Sequence, residues 1–237
     1  MGGNVAVLDI QDRPVPGFEQ LAPRYNAKAH YFKANVVDQA SLTEGFNKAL
    51  AALGHIDGCI PAPGVVIDKP FVDQTWEELT RIQEINVRGT FFIVQLIVKQ
   101  LIEQGTPGSI VLLASQCSHI ALPGLRMAAD NASKGAILML AKALGVELAK
   151  HNIRVNSISP GFVDSDMMQA VRATNNKREG DQVILAPPLK RLSTQNDLTP
   201  ALVYLLSDAS RHITATDLLI TGGLHAGTID GVISHES

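Results

Sequence analysis

Residues 109–161 read SIVLLASQCSHIALPGLRMAADNASKGAILMLAKALGVELAKHNIRVNSISPG. The stretch opens on SIVLLAS, a β-branched apolar run with the length of a buried strand. It closes on RVNSISPG, a second such run stopped by a Pro-Gly turn. Between them Ile137, Leu140, Ala141, Leu144 and Leu148 recur on one helical face, so residues 131–150 read as an amphipathic helix. Strand, helix and strand in this order make a crossover unit, and a parallel sheet of such units is covered by helices.

The rest of the chain repeats the alternation. NVAVLDI (4–10), HYFKANV (30–36), IDGCIPAPG (56–64) and DLLITGG (217–223) read as further strands, the third of them buried. Pro and Gly in DRPVPGFEQLAPRYN leave room for only a short helix. SLTEGFNKALAALG forms an amphipathic one, and a long helical region runs from about Trp76 to Gln104. LTPALVYLLSD reads as a helix with Pro200 in its first turn, whereas the polar stretch 166–197 gives no clear period. No repeat or linker is evident, and 237 residues with 46% hydrophobic side chains suit one core, so a single domain spanning 1–237 is expected.

Charge and cysteine usage narrow the partners. Net charge is −3 with the signs interspersed, which offers nothing to track a phosphate backbone or an anionic membrane. The longest apolar runs fall short of a membrane span, and MGGNVAVLDIQDRP lacks a basic region followed by an apolar core. Cys59 and Cys117 lie in apolar surroundings and are too few for a disulfide framework, which suits a reducing compartment. The expectation is a cytoplasmic protein with neither nucleic acid nor membrane as partner.

AADNASKG (128–135) places Asp130 four residues ahead of Lys134 at a helix start. The plain reading is a salt bridge worth about 0.2–0.5 kcal/mol, with the carboxylate also suiting the helix dipole. Other motifs surround the pair: EINVRGTFF (84–92), SIVLLAS, NASKGA, IRVNSISPGFVDSDM (153–167) and LLSDAS followed by TGG. With these, from Asp9 onward, the chain resembles the short-chain dehydrogenase/reductase family, especially its sugar-alcohol and 3-oxoacyl type members. The resemblance implies an α/β fold, a Rossmann-like doubly wound parallel sheet that binds NAD or NADP at the carboxyl ends of its strands. It also implies a homodimer or homotetramer, joined through the helix around residues 76–104 and the one after Lys134.

Family chemistry uses an asparagine that anchors a relay water, a serine that orients the carbonyl, a tyrosine that exchanges a proton, and a lysine. The lysine lowers the phenol's pKa and holds the cofactor ribose. Asn86 and Lys134 match; Asp130 stands at the tyrosine position, and Cys117 lies thirteen residues before it, at the serine position. Ser115 and Ser118 flank Cys117, one or two residues out of register. An ammonium brings a phenol down from about 10 but pushes a carboxyl further below about 4. Asp130 is also shorter than tyrosine, so unless desolvation outweighs Lys134 the usual ketone reduction is expected to be badly impaired.

The resemblance places Asp9 at the adenosine ribose, favouring NAD, while the residue alone reads equally as a strand-end turn former. Asn35 and Val36, in KANVVD, fall at the adenine; Gly161, Val163 and Ser165, in SPGFVDSD, fall at the nicotinamide amide. PAPG (61–64) replaces the family's N-N-A-G, so Pro61 and Pro63 each delete a backbone donor. The family's T-G-x-x-x-G-x-G turn receives a pyrophosphate at a helix N-terminus. Gly2-Gly3 is not framed as one, so the family's first strand and Gly-rich loop are expected to be missing, through a truncated start rather than a true loss. Two interior sheet edges then stay unpaired unless they close on each other.

His119 reads as a loop histidine rather than the partner of a Cys117 nucleophile, because neighbours at a strand end point to opposite sides. Trp76, Phe92, Leu96 and Leu101 read as core and subunit-contact surface. Three functions follow: an NAD(P)-dependent carbonyl reductase or alcohol dehydrogenase with a weakened site, a non-redox enzyme using Asp130 as base, or an inactive subunit keeping only the oligomer surface.

Overall fold

The computed structural model describes residues 3–166, 168–169 and 186–227. β1 (Val5–Asp9) pairs with β2 (Ala29–Lys33), and β3 (Gly58–Cys59), β4 (Gly108–Leu113), β5 (Ile153–Pro160) and β6 (Asp217–Ile220) form a second sheet in that order. All these pairings are parallel. Helices α1 (Phe18–Tyr25), α2 (Gln39–Leu53), α3 (Trp76–Ile82), α4 (Thr90–Gln104), α5 (Ala128–Glu147) and α6 (Gln195–Leu206) connect the strands.

Side-chain alternation along β4 and β5 produces the two helix layers. Ile110, Leu112, Ile153 and Val155 pack with Val94, Ile97 and Leu101 of α4 and with Ile137, Leu138 and Ala141 of α5. Val111 and Ile158 point the other way, onto Leu198, Leu202 and Leu205 of α6. The result is a Rossmann-like α/β arrangement, with the apolar stripe of 131–150 where its periodicity placed it. α5 comes close because Gly145 has no side chain: a Cβ there would lie 2.6 Å from the Ala215 nitrogen.

Several elements differ from expectation. The strand expected over 56–64 is only two residues long and half-buried, and Pro61 and Pro63 supply no ladder donor beyond it. Among the described residues β1 and β3 do not pair, so the two edges do not close on each other and the strands form two sheets. α5 starts at Ala128, three residues early. α6 starts at Gln195, because the Thr194 N–H and hydroxyl both donate to Asp197 Oδ2, at 2.7 and 2.9 Å, and this sets Pro200 in the second turn.

Residues 76–104 form one continuous helix whose middle, Gln83–Gly89, is π-helical. Its 29 residues, with an 18-residue window of mean hydropathy 1.3, pass the length and composition of a membrane span, contrary to the expectation from shorter apolar runs. Val94, Ile97 and Leu101 nevertheless lie in the core. Trp76 is 79% exposed and Phe92 is exposed too, so neither belongs to the core. Of the polar stretch 166–197, residues 167 and 170–185 lie outside the described residues.

Candidate active site

Parallel strands bring their carboxyl ends to a common edge, and four pieces of chain meet there. They are the loop after β3 with Gly64 and Val65, the π-helical turn with Asn86, the 3-10 turn Gln116–Ser118 after β4, and the first two turns of α5. Asn86, 1% exposed, joins the first, second and fourth. Its Oδ1 accepts from the Val65 N–H at 2.9 Å, and its Nδ2 donates to Val65 O and to Ser133 Oγ, both at 3.0 Å. Ser133 Oγ in turn donates to Asp130 O at 2.9 Å. The Asn86 side chain is thus fully engaged in clamping the Gly64 loop to α5.

Lys134 does not form the salt bridge that its spacing suggested. Its Nζ donates to Leu113 O, at the end of β4, at 3.1 Å, and no ion pair links it to Asp130. Asp130 is 4% exposed, and its carboxyl has no hydrogen-bond or ion-pair partner among the described residues. Burial pushes the Asp130 carboxyl above the ordinary carboxylate range, and the opposing pull of Lys134 is the smaller effect. This reverses the expected direction: desolvation outweighs the neighbouring ammonium. Burial likewise lowers the pKa of Lys134, opposed by Asp130 and Cys117.

Cys117 stands within electrostatic reach of both. Burial raises its thiol pKa; a hydrogen bond with Ser115 lowers it, Asp130 raises it and Lys134 lowers it. Its N–H donates to Ser115 Oγ at 3.1 Å, so Ser115 caps this turn. Cys59, by contrast, is pushed up to about 12 by burial against the core. Gly64 faces the group: a Cβ there would be 3.8 Å from Lys134 Nζ and 4.0 Å from Asn86 Oδ1. The structure therefore brings Asn86, Cys117, Asp130 and Lys134 together, and adds Gly64 and Ser133, which sequence reasoning did not single out. Ser133 lay in NASKG with the signal of a helical position one turn past Asp130; the approach of Gly64 depends on a loop distant in sequence.

His119 turns away from Cys117. Its Nε2 lies 2.9 Å from Asp217 Oδ2 and 3.2 Å from Ser159 Oγ, while Ser157 and Ser159 hydroxyls donate to Asp217 Oδ1. The cluster ties the loop after β4 to β5 and β6. Two buried polar atoms on the same turn, Gln116 Oε1 and Ser118 Oγ, have no partner among the described residues.

The residues assigned to a dinucleotide lie at strand ends. Asp9 ends β1, where its Oδ1 accepts from the Gln11 N–H at 2.9 Å as a turn former does. Asn35 follows β2, its Oδ1 accepting from the Val37 N–H at 3.2 Å, and Val36 packs where a Cβ on Gly89 would stand, 2.8 Å from its Cγ2. Gly161 lies against Thr221, with Gln116 Oε1 at 3.2 Å from the place its Cβ would take. Val163 bridges Ser193 through its neighbours: Ser193 N donates to Phe162 O and Asp164 N to Ser193 O, both at 2.8 Å. That pattern turns the N–H and C=O of Val163 itself to the other side. Ser165 Oγ accepts from the Met168 N–H at 3.3 Å.

These donor sets suit the two ends of a nicotinamide dinucleotide. The unpartnered Gln116 oxygen beside Gly161 is an acceptor of the kind a carboxamide would satisfy. Its middle has no match: among the described residues no Gly-rich turn leads from a strand between β1 and β3 into a helix N-terminus.

A family model described as enoyl-(acyl carrier protein) reductase matches residues 1–225. The chain is 33% identical over 180 residues to carbonyl reductase (NADPH) 2 of Sus scrofa, covering 76% of this chain and 72% of that protein. It is 32% identical over 232 residues to the 2,5-dichloro-2,5-cyclohexadiene-1,4-diol dehydrogenase of Sphingobium indicum, covering 95% and 88%. A short-chain type dehydrogenase/reductase from Mycobacterium marinum superposes with a TM-score of 0.87 at 29% identity, covering 93% of this chain and 85% of that one. The chain belongs to the short-chain dehydrogenase/reductase family, whose members are NAD(P)-dependent oxidoreductases.

Proposed function

We propose that the protein interconverts a small carbonyl compound and its alcohol with NAD(H) or NADP(H), using Asp130 as the proton donor and acceptor. The observation that carries this reading is the burial of Asp130 without an ion-pair partner, which lets the carboxyl keep its proton to higher pH than an exposed aspartate. The names of the porcine and Sphingobium relatives, a carbonyl reductase and a diol dehydrogenase, support the substrate class.

When bound, the nicotinamide supplies or accepts the hydride. The chain's own residues do the rest. Asp130 gives a proton to the carbonyl oxygen or takes one from the alcohol. The Cys117 thiol and the Ser115 hydroxyl are the weak donors available to orient that oxygen. Lys134 reaches the ribose side, and Val163 and Ser165 hold the carboxamide. Asn35 and Val36 take the adenine, and Asp9 takes the adenosine ribose, where its carboxylate repels a 2′-phosphate and favours NAD. The protein works as a single cytoplasmic domain in a homodimer or homotetramer, with neither nucleic acid nor membrane as partner. The exposed Phe91, Phe92, Met139 and Val146 on α4 and α5 support the oligomer.

The test is NADH and NADPH oxidation with a panel of small ketones, beside direct binding followed by protein fluorescence. Asp130→Asn is expected to lower turnover by about 10²–10⁴-fold, as for loss of a general acid. Asp130→Tyr is expected to keep or raise it. Absence of binding by both nucleotides, together with absence of turnover, overturns the proposal. A second reading, Asp130 as base in a non-redox reaction, is favoured by the same upward shift, since a base works best near the operating pH. It predicts a reaction that leaves the nicotinamide unchanged and is lost in Asp130→Asn.

A further inference from the structure

We propose that Asp68 is a positioning residue: through Arg126 it fixes the first turn of α5, and so sets where the Asp130 carboxyl stands. The inference rests on the reading of Asp130 as proton donor and acceptor above, and names what holds that group in place.

A helix start leaves backbone N–H groups without intrahelical partners, and a side-chain acceptor at the cap usually anchors them. α5 has no such anchor: Met127 precedes it and makes no side-chain cap bond, and Asp130 lies in its first turn. On the carboxyl side Asp130 is tied through Ser133 to Asn86. On the amino side, among the described residues, the hydrogen bonds that reach another segment are made at Arg126. Asp68 Oδ1 accepts from the Arg126 N–H at 3.2 Å and from its Nε–H at 2.9 Å, and the Lys69 N–H donates to Arg126 O at 3.0 Å. Backbone and side chain of Arg126 are thus both held, by a carboxylate whose side chain is only 12% exposed. An acceptor so far out of water holds its donors more firmly than a surface ion pair does.

The other end of this strap is anchored as well. Lys69 Nζ donates to both Glu78 carboxylate oxygens, at 2.9 and 3.0 Å, and the same Glu78 caps α3 by accepting from the Thr75 N–H at 2.8 Å. Gln74 Nε2 donates to Lys69 O at 3.2 Å. The loop after β3 is therefore pinned twice, at Val65 by Asn86 and at Asp68 and Lys69 by Arg126 and Glu78. One carboxylate, Asp68, joins that loop to the start of α5. It does not act on Asp130 through its charge: Lys134 is the charge that does, and Cys117 feels Asp130 in turn. Its influence is mechanical. A displacement of about 1 Å far from the chemistry can cost about 10²-fold in rate, so a group that touches neither substrate nor cofactor still matters to turnover.

The test is carbon-13 NMR of the full chain labelled at the aspartate carboxyls, with the Asp130 signal assigned from Asp130→Asn. Asp68→Ala removes the acceptor of both Arg126 bonds, so the first turn of α5 loosens and water enters. The Asp130 titration is expected to move down toward the ordinary aspartate value of about 4. Asp68→Asn keeps an acceptor oxygen for the Arg126 N–H and Nε–H, and its Asp130 titration is expected to match wild type. Both variants lose the same charge, so the difference between them isolates the hydrogen bonds. With a ketone that wild type turns over, kcat is expected to fall about 10–10²-fold in Asp68→Ala and to recover in Asp68→Asn. Nucleotide affinity, read by protein fluorescence, is expected to stay unchanged in both. If Asp68→Ala does not fold, Arg126→Ala, at a half-exposed side chain, takes its place, with a smaller downward shift expected. An Asp130 titration equal in wild type and the folded alanine variant, or moved equally in both Asp68 variants, overturns the proposal. A wild type that turns over no ketone, yet whose Asp130 titration still shifts in Asp68→Ala, sinks the proton-donor reading and leaves the positioning standing.

Discussion

Asp130 and Lys134 sit one turn apart on α5, yet Lys134 binds Leu113 O and neither side chain completes an ion pair among the described residues. Each is shifted toward its uncharged form by burial, which makes the pair a cost to folding at neutral pH. For Asp130 the folded pKa lies above the unfolded value of about 4, so its favourable contribution is complete below that pH and is lost as pH rises through the folded pKa. For Lys134 the folded pKa lies below the unfolded value of about 10.4, so its contribution is complete above that pH and is lost as pH falls through the folded pKa. Asp130→Asn removes the first cost. Its melting temperature is expected to exceed that of wild type at neutral pH, and the gap is expected to close on acidification toward about pH 4. A gap that widens in acid, measured by circular dichroism melts across pH, would show that Lys134 rather than burial governs the carboxyl. The family resemblance singled out Asn86, Cys117, Asp130 and Lys134, and the fold brings these side chains near one another. The direction of the Asp130 shift was not legible, because a charge four residues away is local whereas desolvation depends on a loop and a turn folded over from elsewhere in the chain.

The elements that carry these residues are held by close approaches that leave little slack. α5 rests on the segment before β6 at Gly145, where a new Cβ would meet the backbone of Ala215, 2.6 Å from its nitrogen and 2.8 Å from its Cα. The helix cannot retreat without opening the fully buried contacts of Ile137 and Ala141. Gly145→Ala is therefore expected to lower stability by about 1–3 kcal/mol despite alanine's better helix propensity, read from the urea midpoint. An unchanged or higher midpoint would mean the α5 approach is softer than its geometry. Asn86→Ala acts differently: it leaves the buried side of Val65 and Ser133 without their partner and is expected to cost about 1–3 kcal/mol while loosening the Gly64 loop. Asn86→Asp, which keeps the acceptor for the Val65 N–H but loses both amide donors, tests which half of the clamp matters by the same measurement. Periodicity made α5 and β4 readable, since their apolar spacing is a property of the segment itself. The π-helical turn in EINVRGT was not readable, because no residue type encodes it.

For the whole molecule, the division into two sheets sets where the fold opens first. β4 buries Gly108 through Leu112, whereas no residue of β1 or β2 is fully buried. The smaller sheet is held mainly by α2, through Leu42, Gly45 and Ala49, with Gly45 so close that a Cβ would stand 2.8 Å from that of Ala34. Among the described residues no strand pairs with the other side of β1. The Val5 N–H donates to Lys28 O and Asp9 O accepts from the Ala34 N–H, so alternate residues of β1 address β2 and the amides of Ala6 and Leu8 face the opposite edge. Amide protection follows local burial and pairing, and a two-stranded parallel sheet belongs at the low end of the stability range. In hydrogen exchange read residue by residue, Ala6 and Leu8 are expected to exchange almost as exposed peptide. Val7 is expected to be protected only to the extent that β1 stays on β2, and Val111 and Leu112 up to the global unfolding limit. Protection of Ala6 and Leu8 equal to that of β4 would overturn this ordering. It would mean that in solution another strand lies along that edge, and the two sheets would then unfold as one.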